Sequence, residues 1–478
     1  MQLKTTAACF LIGLAAGFGG HLSAAELPGN LVALLDKEAA LAGGHFPVVL
    51  LSYATLAKDG EHLTEQEVQS WADAGYNLVI GPQVDVTDPA QKEQMLQILD
   101  WAQARGLRLF PEDRRIPRWP LPGPDPSQIP ADYVDRVRSA AADFGGHPGT
   151  IGLFLQDEAV AGRPSDAPFF ACYRLMKQAA PQLTPWANLA PNTPAEYLDD
   201  YARVAQPDFL CFDRYDQIAP GDNSAGPWLA NLLLFRRAAL RHGIPFWVTI
   251  LCTSHYDNEV HGYNDLRWQF NTSLACGAHG IVWYQYYIWE PFMNYHQAPV
   301  DWFGEKTPIY YAQRRLHQEF HRRYGDLFTR LVSTRVTFYP EAIGDPGLVK
   351  VGRGVEAKSW SANGLLAGIR TEDGKGRPMR VPLVIGEFAD AHGQRYVMVV
   401  NHSRTKNVRV WLTFPGQEVR VFSWDWGGQE REGNAYAAGY ERQTRDERGL
   451  TILHWLSPGQ ETIYRVASSP AAAESYGP

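Results

Sequence analysis

Short apolar runs alternate with amphipathic helical stretches between Phe46 and about Tyr324. Thr64 followed by Glu67 is a helix-start pattern, and that helix is expected to end at Gly75. The predicted strands are Val48–Tyr53, Asn77–Ile80, Arg108–Phe110, Thr150–Leu155, Pro185–Asn188, Phe209–Phe212, Pro245–Ile250 and Gly280–Tyr284. Eight strand–helix units over roughly 280 residues fit the size of a (β/α)8 TIM barrel, an α/β fold.

A doubly wound parallel sheet is the alternative α/β fold for this alternation. Such a sheet carries a glycine-rich phosphate loop after its first strand. Here residues 51–55 read Leu-Ser-Tyr-Ala-Thr instead, which favours the barrel. Residues 26–44 predict a helix that closes the N-terminal face of the barrel.

The helical periodicity stops after Tyr324, and alternating segments separated by Gly, Asp, Asn and Pro take over. The predicted strands of this part include Leu383–Phe388, Tyr396–Asn401, Val408–Phe414, Val419–Trp424, Thr451–Trp455 and Thr462–Val466. This pattern is typical of an all-β sandwich domain. We therefore expect a barrel over 26–325, a β-sandwich over 326–468 and a disordered tail over 469–478.

The first 25 residues have the features of a signal peptide. One lysine precedes an apolar stretch over 7–19, and Ser23-Ala24-Ala25 offers small residues for cleavage. The mature chain would begin near Glu26 and be periplasmic or secreted. The apolar stretch is too short for a membrane span, so none is expected after cleavage.

Length, charge and composition narrow the function classes. A chain of 478 residues suggests two domains. A net charge of −8 without a Lys/Arg run makes nucleic acid an unexpected partner. The 15 Trp, 22 Tyr and 21 Phe suit a carbohydrate substrate, because flat rings stack on sugar faces.

Cysteine usage gives no metal pattern, and neither a metal nor an organic cofactor is implied. Cys211 and Cys252 fall on neighbouring predicted strands, so a disulfide between them is geometrically possible. Buried free thiols are the other interpretation.

The residues just after each barrel strand are the candidates for chemistry, because active sites of such barrels lie at the carboxyl ends of the strands. Asp157 and Glu158 end strand four, and two adjacent carboxylates after an apolar strand suit general acid catalysis. Asp213 and Glu290 are further candidate catalytic carboxylates. The candidate substrate-binding residues are Tyr53, Asn188, Tyr215, His255, Trp283, Tyr284 and Trp289. Carboxylates ringed by Trp and Tyr are what glycoside cleavage requires.

Three barrel segments carry a resemblance to a known group of enzymes. The segments at 155–158 (Leu-Gln-Asp-Glu), 212–215 (Phe-Asp-Arg-Tyr) and 280–284 (Gly-Ile-Val-Trp-Tyr) resemble the barrel glycoside hydrolases of clan A. The segments at 383–388, 396–401 and 456–460 resemble the β-sandwich that often follows such barrels. The resemblance implies hydrolysis of an O-glycosidic bond in an oligo- or polysaccharide, with Glu158 as the general acid/base. Asp157 stands where the clan often has Asn.

Strand seven departs from the clan, which places its nucleophilic Glu there. Residues 246–254 contain no carboxylate, and Asp257 is the first to follow. One possibility is a displaced carboxylate, with Asp213 and Glu290 ahead of Asp257 and Glu259. The other resembles the substrate-assisted N-acetylhexosaminidases and chitinases, in which the substrate's acetamido group is the nucleophile.

Two further classes stay open at this point. A non-catalytic carbohydrate-binding protein on a barrel scaffold would also lack the strand-seven Glu, and fold alone does not decide between the two. A polysaccharide lyase would use a Tyr base beside an Arg, for which Tyr215 and Arg214 are available.

Export generates the first testable prediction. Exported protein is expected to begin at or within a residue or two of Glu26, because the small residues before it form the cleavage site. Intact-mass measurement of periplasmic or medium protein checks this. A mass that includes Met1 would contradict it.

Overall fold

The structure, a computed structural model, describes most of the chain from residue 29 to residue 467. The described residues are 29–118, 128–159, 166–191, 193–215, 225–288, 294–340, 350–351, 355–356, 360–362, 364–435 and 443–467. The expected signal peptide and C-terminal tail lie outside these ranges, as do Trp289 and Glu290.

Eight parallel strands form the first domain, in the order β3-β2-β1-β8-β7-β6-β5-β4. They are β1 (Val48–Leu51), β2 (Leu78–Val84), β3 (Arg108–Asp113), β4 (Gly152–Ala159), β5 (Thr184–Leu189), β6 (Leu210–Asp213), β7 (Phe246–Leu251) and β8 (Gly280–Tyr284). The two end strands meet through a bridge between Leu109 and Thr150, where Ile151 N–H donates to Leu109 O at 2.9 Å. The expected (β/α)8 barrel is confirmed, including all eight predicted strand positions.

Helices alternate with these strands. They are α1 (Gly29–Ala42), α2 (Leu56–Asp59), α3 (Glu65–Asp73), α4 (Pro89–Ala104), α5 (Tyr133–Phe144), α6 (Asp166–Ala179), α7 (Ala195–Val204), α8 (Ala225–His242), α9 (Tyr263–Ala275), α10 (Pro308–Phe320) and α11 (Asp326–Phe328). Thr64 caps α3 as expected, since its side chain accepts from Glu67 N–H.

The barrel interior is filled by side chains that point inward from alternate strand positions. The buried cluster is Leu41, Val49, Leu51, Leu78, Ile80, Phe110, Ile151, Phe154, Trp186, Phe209, Cys211, Trp247 and Val282. Leu41 comes from α1, and Arg108 on β3 donates to its carbonyl at 2.7 Å. The preceding helix therefore contributes to the barrel core at the N-terminal ends of the strands.

The second domain is built from antiparallel sheets. Its strands are β9 (Val332–Tyr339), β10 (Lys350–Val351), β11 (Val355–Glu356), β12 (Gly368–Glu372), β13 (Leu383–Ala389), β14 (Arg395–Asn401), β15 (Val408–Pro415), β16 (Arg420–Trp424), β17 (Glu430–Glu432), β18 (Gln443–Asp446), β19 (Gly449–Leu456) and β20 (Glu461–Ala467). A six-stranded sheet runs β17-β16-β20-β14-β13-β9, and a four-stranded sheet runs β12-β15-β19-β18. An apolar core drawn from both sheets confirms the β-sandwich.

Helix α9 joins the barrel to the sandwich. Trp268 Nε1–H donates to His402 O at 3.0 Å, and Asn271 Nδ2 donates to Glu461 at 2.8 Å. Arg323, after α10, forms a buried ion pair with Glu461 at 2.9 Å. These hydrogen bonds and this ion pair satisfy buried polar groups of both domains where water is excluded. The barrel and the sandwich therefore share a packed interface.

Cys211 and Cys252 are both free thiols. Cys211 faces the barrel interior, whereas Cys252 packs in the outer cluster between strands and helices. The disulfide that strand adjacency made possible is absent because the side chains lie in different layers. Across the described ranges, we find no helix with the length and apolarity to cross a membrane.

The packing of α9 against β13 predicts the effect of one glycine substitution. A Cβ on Gly386 would collide with Ala275 O in the last turn of α9, so Gly386→Ala is expected to lower the free energy of unfolding by about 1–3 kcal/mol. Gly146→Ala is the matched control, because nothing lies within 4 Å of its Cβ. Chemical denaturation measures both. Equal stability of the two variants would contradict the expected packing.

Candidate active site

The end of β4 carries the two adjacent carboxylates into the mouth of the barrel. Pairing of β4 with β5 shifts register between Gln156 and Ala159, so the strand bulges at Asp157 and Glu158. Glu158 adopts a left-handed backbone with φ of 47°, which a residue other than Gly rarely occupies. Its side chain is exposed, whereas that of Asp157 is half-buried. Strained backbone of this kind often marks a functional position.

Asn188 on β5 links the carboxyl groups of β4 and β6. Its Nδ2 donates to Asp157 Oδ1 at 3.2 Å and to Asp213 Oδ1 at 2.8 Å. Its Oδ1 accepts from the Thr249 hydroxyl of β7 at 3.5 Å. Asn188 and Asp213 follow Trp186 and Cys211 by two residues, so alternation along each strand aims them inward. One amide thus holds two acidic side chains from different strands within a few ångströms of each other.

This crowding favours the protonated forms of the buried carboxyl groups. Burial, followed by the nearby Glu158 charge, raises the pKa of Asp157 to about 7. Burial also raises the pKa of Asp213 well above its usual range, with Asp157 and Glu158 adding to the effect. Asp213 is hydrogen-bonded to Glu158, and this contact also raises the pKa of Asp213. Glu158 therefore lies at the exposed end of a hydrogen-bonded acidic chain.

Aromatic side chains surround the acidic cluster. The Tyr53 hydroxyl donates to Asp157 Oδ2. Tyr284 lies edge-on to Tyr53, with ring centres 5.6 Å apart, and stacks on Tyr215 at 5.1 Å. His255 stacks on Tyr295 at 4.9 Å, and burial lowers the pKa of its imidazole. The cluster thus borders a wall of flat rings and a neutral imidazole.

The structure brings most of the predicted site residues together. Those in one cluster are Tyr53, Asp157, Glu158, Asn188, Asp213, Tyr215, His255 and Tyr284. Asn188 was expected to bind substrate. In the structure its amide is instead hydrogen-bonded to Asp157, Asp213 and Thr249. Asn188 is therefore a positioning residue in this structure.

Trp283 also requires a correction. It is fully buried in the outer cluster, and its Nε1–H donates to His317 on α10 at 2.8 Å. Val282 and Tyr284 face the barrel interior, so alternation turns Trp283 toward the helices. Trp289 and Glu290 cannot be placed, since both lie outside the described ranges. Of the other carboxylates considered, Asp257 is exposed and Glu259 pairs with His261 at 3.4 Å.

Three contributions escaped the sequence analysis. Arg118 places its guanidinium 4.5 Å from the Phe154 ring centre and 5.9 Å from that of Tyr53, while pairing with Glu112 on β3. Tyr295 hydrogen-bonds Tyr284 through the two hydroxyls at 2.5 Å. Thr249, the third, supports Asn188 from inside the barrel. No sequence pattern marked these three residues, because each reaches the site through contacts between different strands and loops.

Metal binding receives no support from the described part of the chain. No group of three or more His, Cys, Asp or Glu there is arranged to hold an ion.

Comparison with known proteins bears on the fold. No protein-family model matches this chain, and no curated protein does. Among solved structures, it is similar to a GH42 β-galactosidase from G. stearothermophilus, with a TM-score of 0.56 and 9% identity over 88% of this chain and 98% of that one. A β-galactosidase from Bacillus circulans sp. alkalophilus gives a TM-score of 0.51 at 10% identity, covering 86% and 99% of the two chains. The expected resemblance to barrel glycoside hydrolases with a following β domain is thereby confirmed as a likeness of fold.

The raised pKa of Asp157 generates a stability prediction. Its ordinary value is 3.8 and its folded value is about 7, so the protonated form is favoured by folding. This contribution to the free energy of unfolding amounts to at most about 4 kcal/mol. It is fully present below about pH 4 and is lost as the pH rises through about 7. Asp157→Asn is therefore expected to flatten the decline in unfolding free energy between about pH 4 and 8.

Urea denaturation at several pH values measures this decline. Asp135→Asn is the control, because Asp135 is an exposed aspartate on α5. Its profile is expected to follow that of the wild type. A wild-type slope retained in Asp157→Asn would contradict the assignment.

Proposed function

We propose that this protein is an exported glycoside hydrolase with Glu158 as its general acid/base. The observation that carries the proposal is the placement of Glu158, exposed at the barrel mouth and hydrogen-bonded to a buried Asp213 whose pKa is raised by burial. Glycoside cleavage needs an acid that protonates the leaving oxygen and then acts as a base toward water. Export is supported by the signal-like segment before Glu26.

Asp213 can assist the acid step of Glu158. When Glu158 gives its proton to a leaving group, the Asp213 carboxyl can stabilise the new charge by donating a hydrogen bond. The Glu158 carboxylate can then accept a proton from the water that attacks in the second half of the reaction.

The acidic cluster also favours an enzyme over a non-catalytic sugar-binding protein. Burying two carboxyl groups beside a third is costly, and carboxyl groups with perturbed pKa values cluster at catalytic sites. The adjacent rings of Tyr53, Tyr215 and Tyr284 would then hold the sugar beside the acid.

The distance between the carboxyl groups decides whether a second carboxyl group could attack the sugar or activate a water molecule. Retaining enzymes with a protein nucleophile keep their two carboxyl groups about 5 to 5.5 Å apart, and inverting ones about 6.5 to 9.5 Å. A direct hydrogen bond places Asp213 closer to Glu158 than either arrangement. Asp213 is therefore better suited to tune Glu158 than to attack the sugar.

A second candidate follows from Asp157. Tyr53 and Asn188 fix this carboxyl group beside Glu158. A carboxylate held in this way could orient a substrate acetamido group, whose oxygen would attack the anomeric carbon as the leaving oxygen takes the proton from Glu158. This is the substrate-assisted route, and it needs no carboxylate on strand seven.

The role of Glu158 is tested by Glu158→Gln. Turnover of substrates with poor leaving groups is expected to fall about 10²- to 10⁴-fold, because the amide cannot donate the proton. Aryl glycosides with good leaving groups are expected to lose less in the first step. Glu93→Gln, an exposed change on α4, is the control and should retain full turnover. Equal activity of Glu158→Gln and wild type on a natural glycan would overturn the assignment.

The range of substrates cleaved distinguishes the substrate-assisted route from a route that uses a displaced carboxylate. A substrate-assisted enzyme is expected to cleave only N-acetylated sugars with retention, and Asp157→Asn should then impair it about as much as Glu158→Gln. Proton NMR of the first product reads the anomeric configuration. Cleavage of sugars without an acetamido group would instead support a displaced carboxylate, acting as nucleophile if the configuration is retained and as base if it is inverted.

A further inference from the structure

A cavity opens between the loops that follow β1 and β8, on the same face of the barrel as the acidic cluster. Its volume is about 450 Å³, within the range of small-ligand sites. It is lined by Lys58, Asp59, His62, Glu67, Tyr287, Val300, Asp301, Trp302 and Gly304. None of these residues belongs to the acidic cluster.

The inner wall of this cavity is a fixed hydrogen-bonded chain. The Trp71 indole N–H donates to the Tyr287 hydroxyl at 2.7 Å, and that hydroxyl donates to Glu67 at 2.8 Å. Burial raises the pKa of Glu67. Because each group is held by the next, the polar atoms have set positions before a ligand arrives, which reduces the entropic cost of binding.

The rim carries an exposed tryptophan on a rigid turn. Asp301 accepts the backbone N–H groups of Phe303 and Glu305, at 2.8 and 2.9 Å, and so closes the turn. Trp302 within it is 48% exposed, and no ring contact to it is found among the described residues. A large apolar ring held in water beside a cavity suits a flat ligand face.

The charges around the cavity select the class of ligand. The acidic side chains of the lining are those of Asp59, Glu67 and Asp301. The basic side chains are those of Lys58, which lines the cavity, and Lys306, which lies close to Glu67. These opposite charges leave little net attraction for a strong anion or cation. An aromatic face beside both hydrogen-bond donors and hydrogen-bond acceptors fits a neutral, hydroxyl-rich ring.

We propose that this cavity binds a neutral sugar ring of a longer glycan, at a distance from the bond to be cleaved, with Trp302 stacked on the ring. This inference rests on the proposed function and names the substrate class more closely, as a chain rather than a single glycoside. The two strands that deliver Tyr53 and Tyr284 to the acidic cluster continue into the loops that form the cavity. One extended chain could therefore contact both places.

Trp302→Ala, made in the Glu158→Gln background, tests binding without cleavage. The probes are soluble β-1,4-galactan, β-1,3-glucan, xylan and galactomannan, compared by affinity gel electrophoresis. The dissociation constant for at least one of them is expected to rise about fivefold or more. Phe303→Ala is the matched control, because Phe303 is the neighbouring exposed aromatic residue and does not line the cavity. It should bind as the parent does.

In active protein, Trp302→Ala is expected to lower kcat/KM for the bound polysaccharide and leave that for a short aryl glycoside unchanged. Unchanged binding in Trp302→Ala, an equal loss in Phe303→Ala, or no binding of any probe by the parent would overturn the proposed site. So would a change in self-association with no change in binding, since the patch would then contact a second copy. Binding that depends on Trp302 in a protein that cleaves none of the probes would support the site and contradict the proposed hydrolase.

Discussion

The side-chain amide of Asn188 is the contact on which the candidate site depends. It donates to Asp157 and Asp213 together and is supported by Thr249 from below. Because its Nδ2 donates to a carboxyl oxygen on each strand, it holds the two side chains together in a site where burial raises the pKa of both. The barrel makes this contact possible, because strands β4, β5, β6 and β7 present their inward positions to one another at the same end.

Under the proposed function, the acidic cluster would supply the proton although strand seven carries no carboxylate. The three carboxyl groups come from β4 and β6, on one side of the barrel, while β7 contributes Thr249 and β8 contributes Tyr284. A site built in this way has its proton supply on one side and aromatic faces on the other. If the protein is the hydrolase proposed above, the attacking group would come from the substrate, from water or from a residue at the barrel mouth.

Most of the fold was predictable from the sequence, because buried parallel strands produce continuous apolar runs that recur between amphipathic helices. Glu158 and Asp157 were predictable for a similar reason, since carboxylates rarely follow such a run by chance. The link through Asn188 was not, because it depends on the register between neighbouring strands. Trp283 was misplaced because one residue along a strand reverses the face, and the sequence around strand eight is aromatic on both faces. Short strands such as β17 and β18 carry too few apolar positions to produce a signal.

The central claim is that burial and the neighbouring carboxyl groups hold the pKa of Asp213 well above its ordinary value, beside Glu158. Carbon-13 NMR titration of protein labelled at the aspartate side-chain carboxyl carbon measures this directly. The signal that is missing from Asp213→Asn is expected to titrate well above the ordinary aspartate value, as is the separate signal that is missing from Asp157→Asn. Full ionisation of every aspartate below about pH 5, close to ordinary carboxyl values, would contradict it.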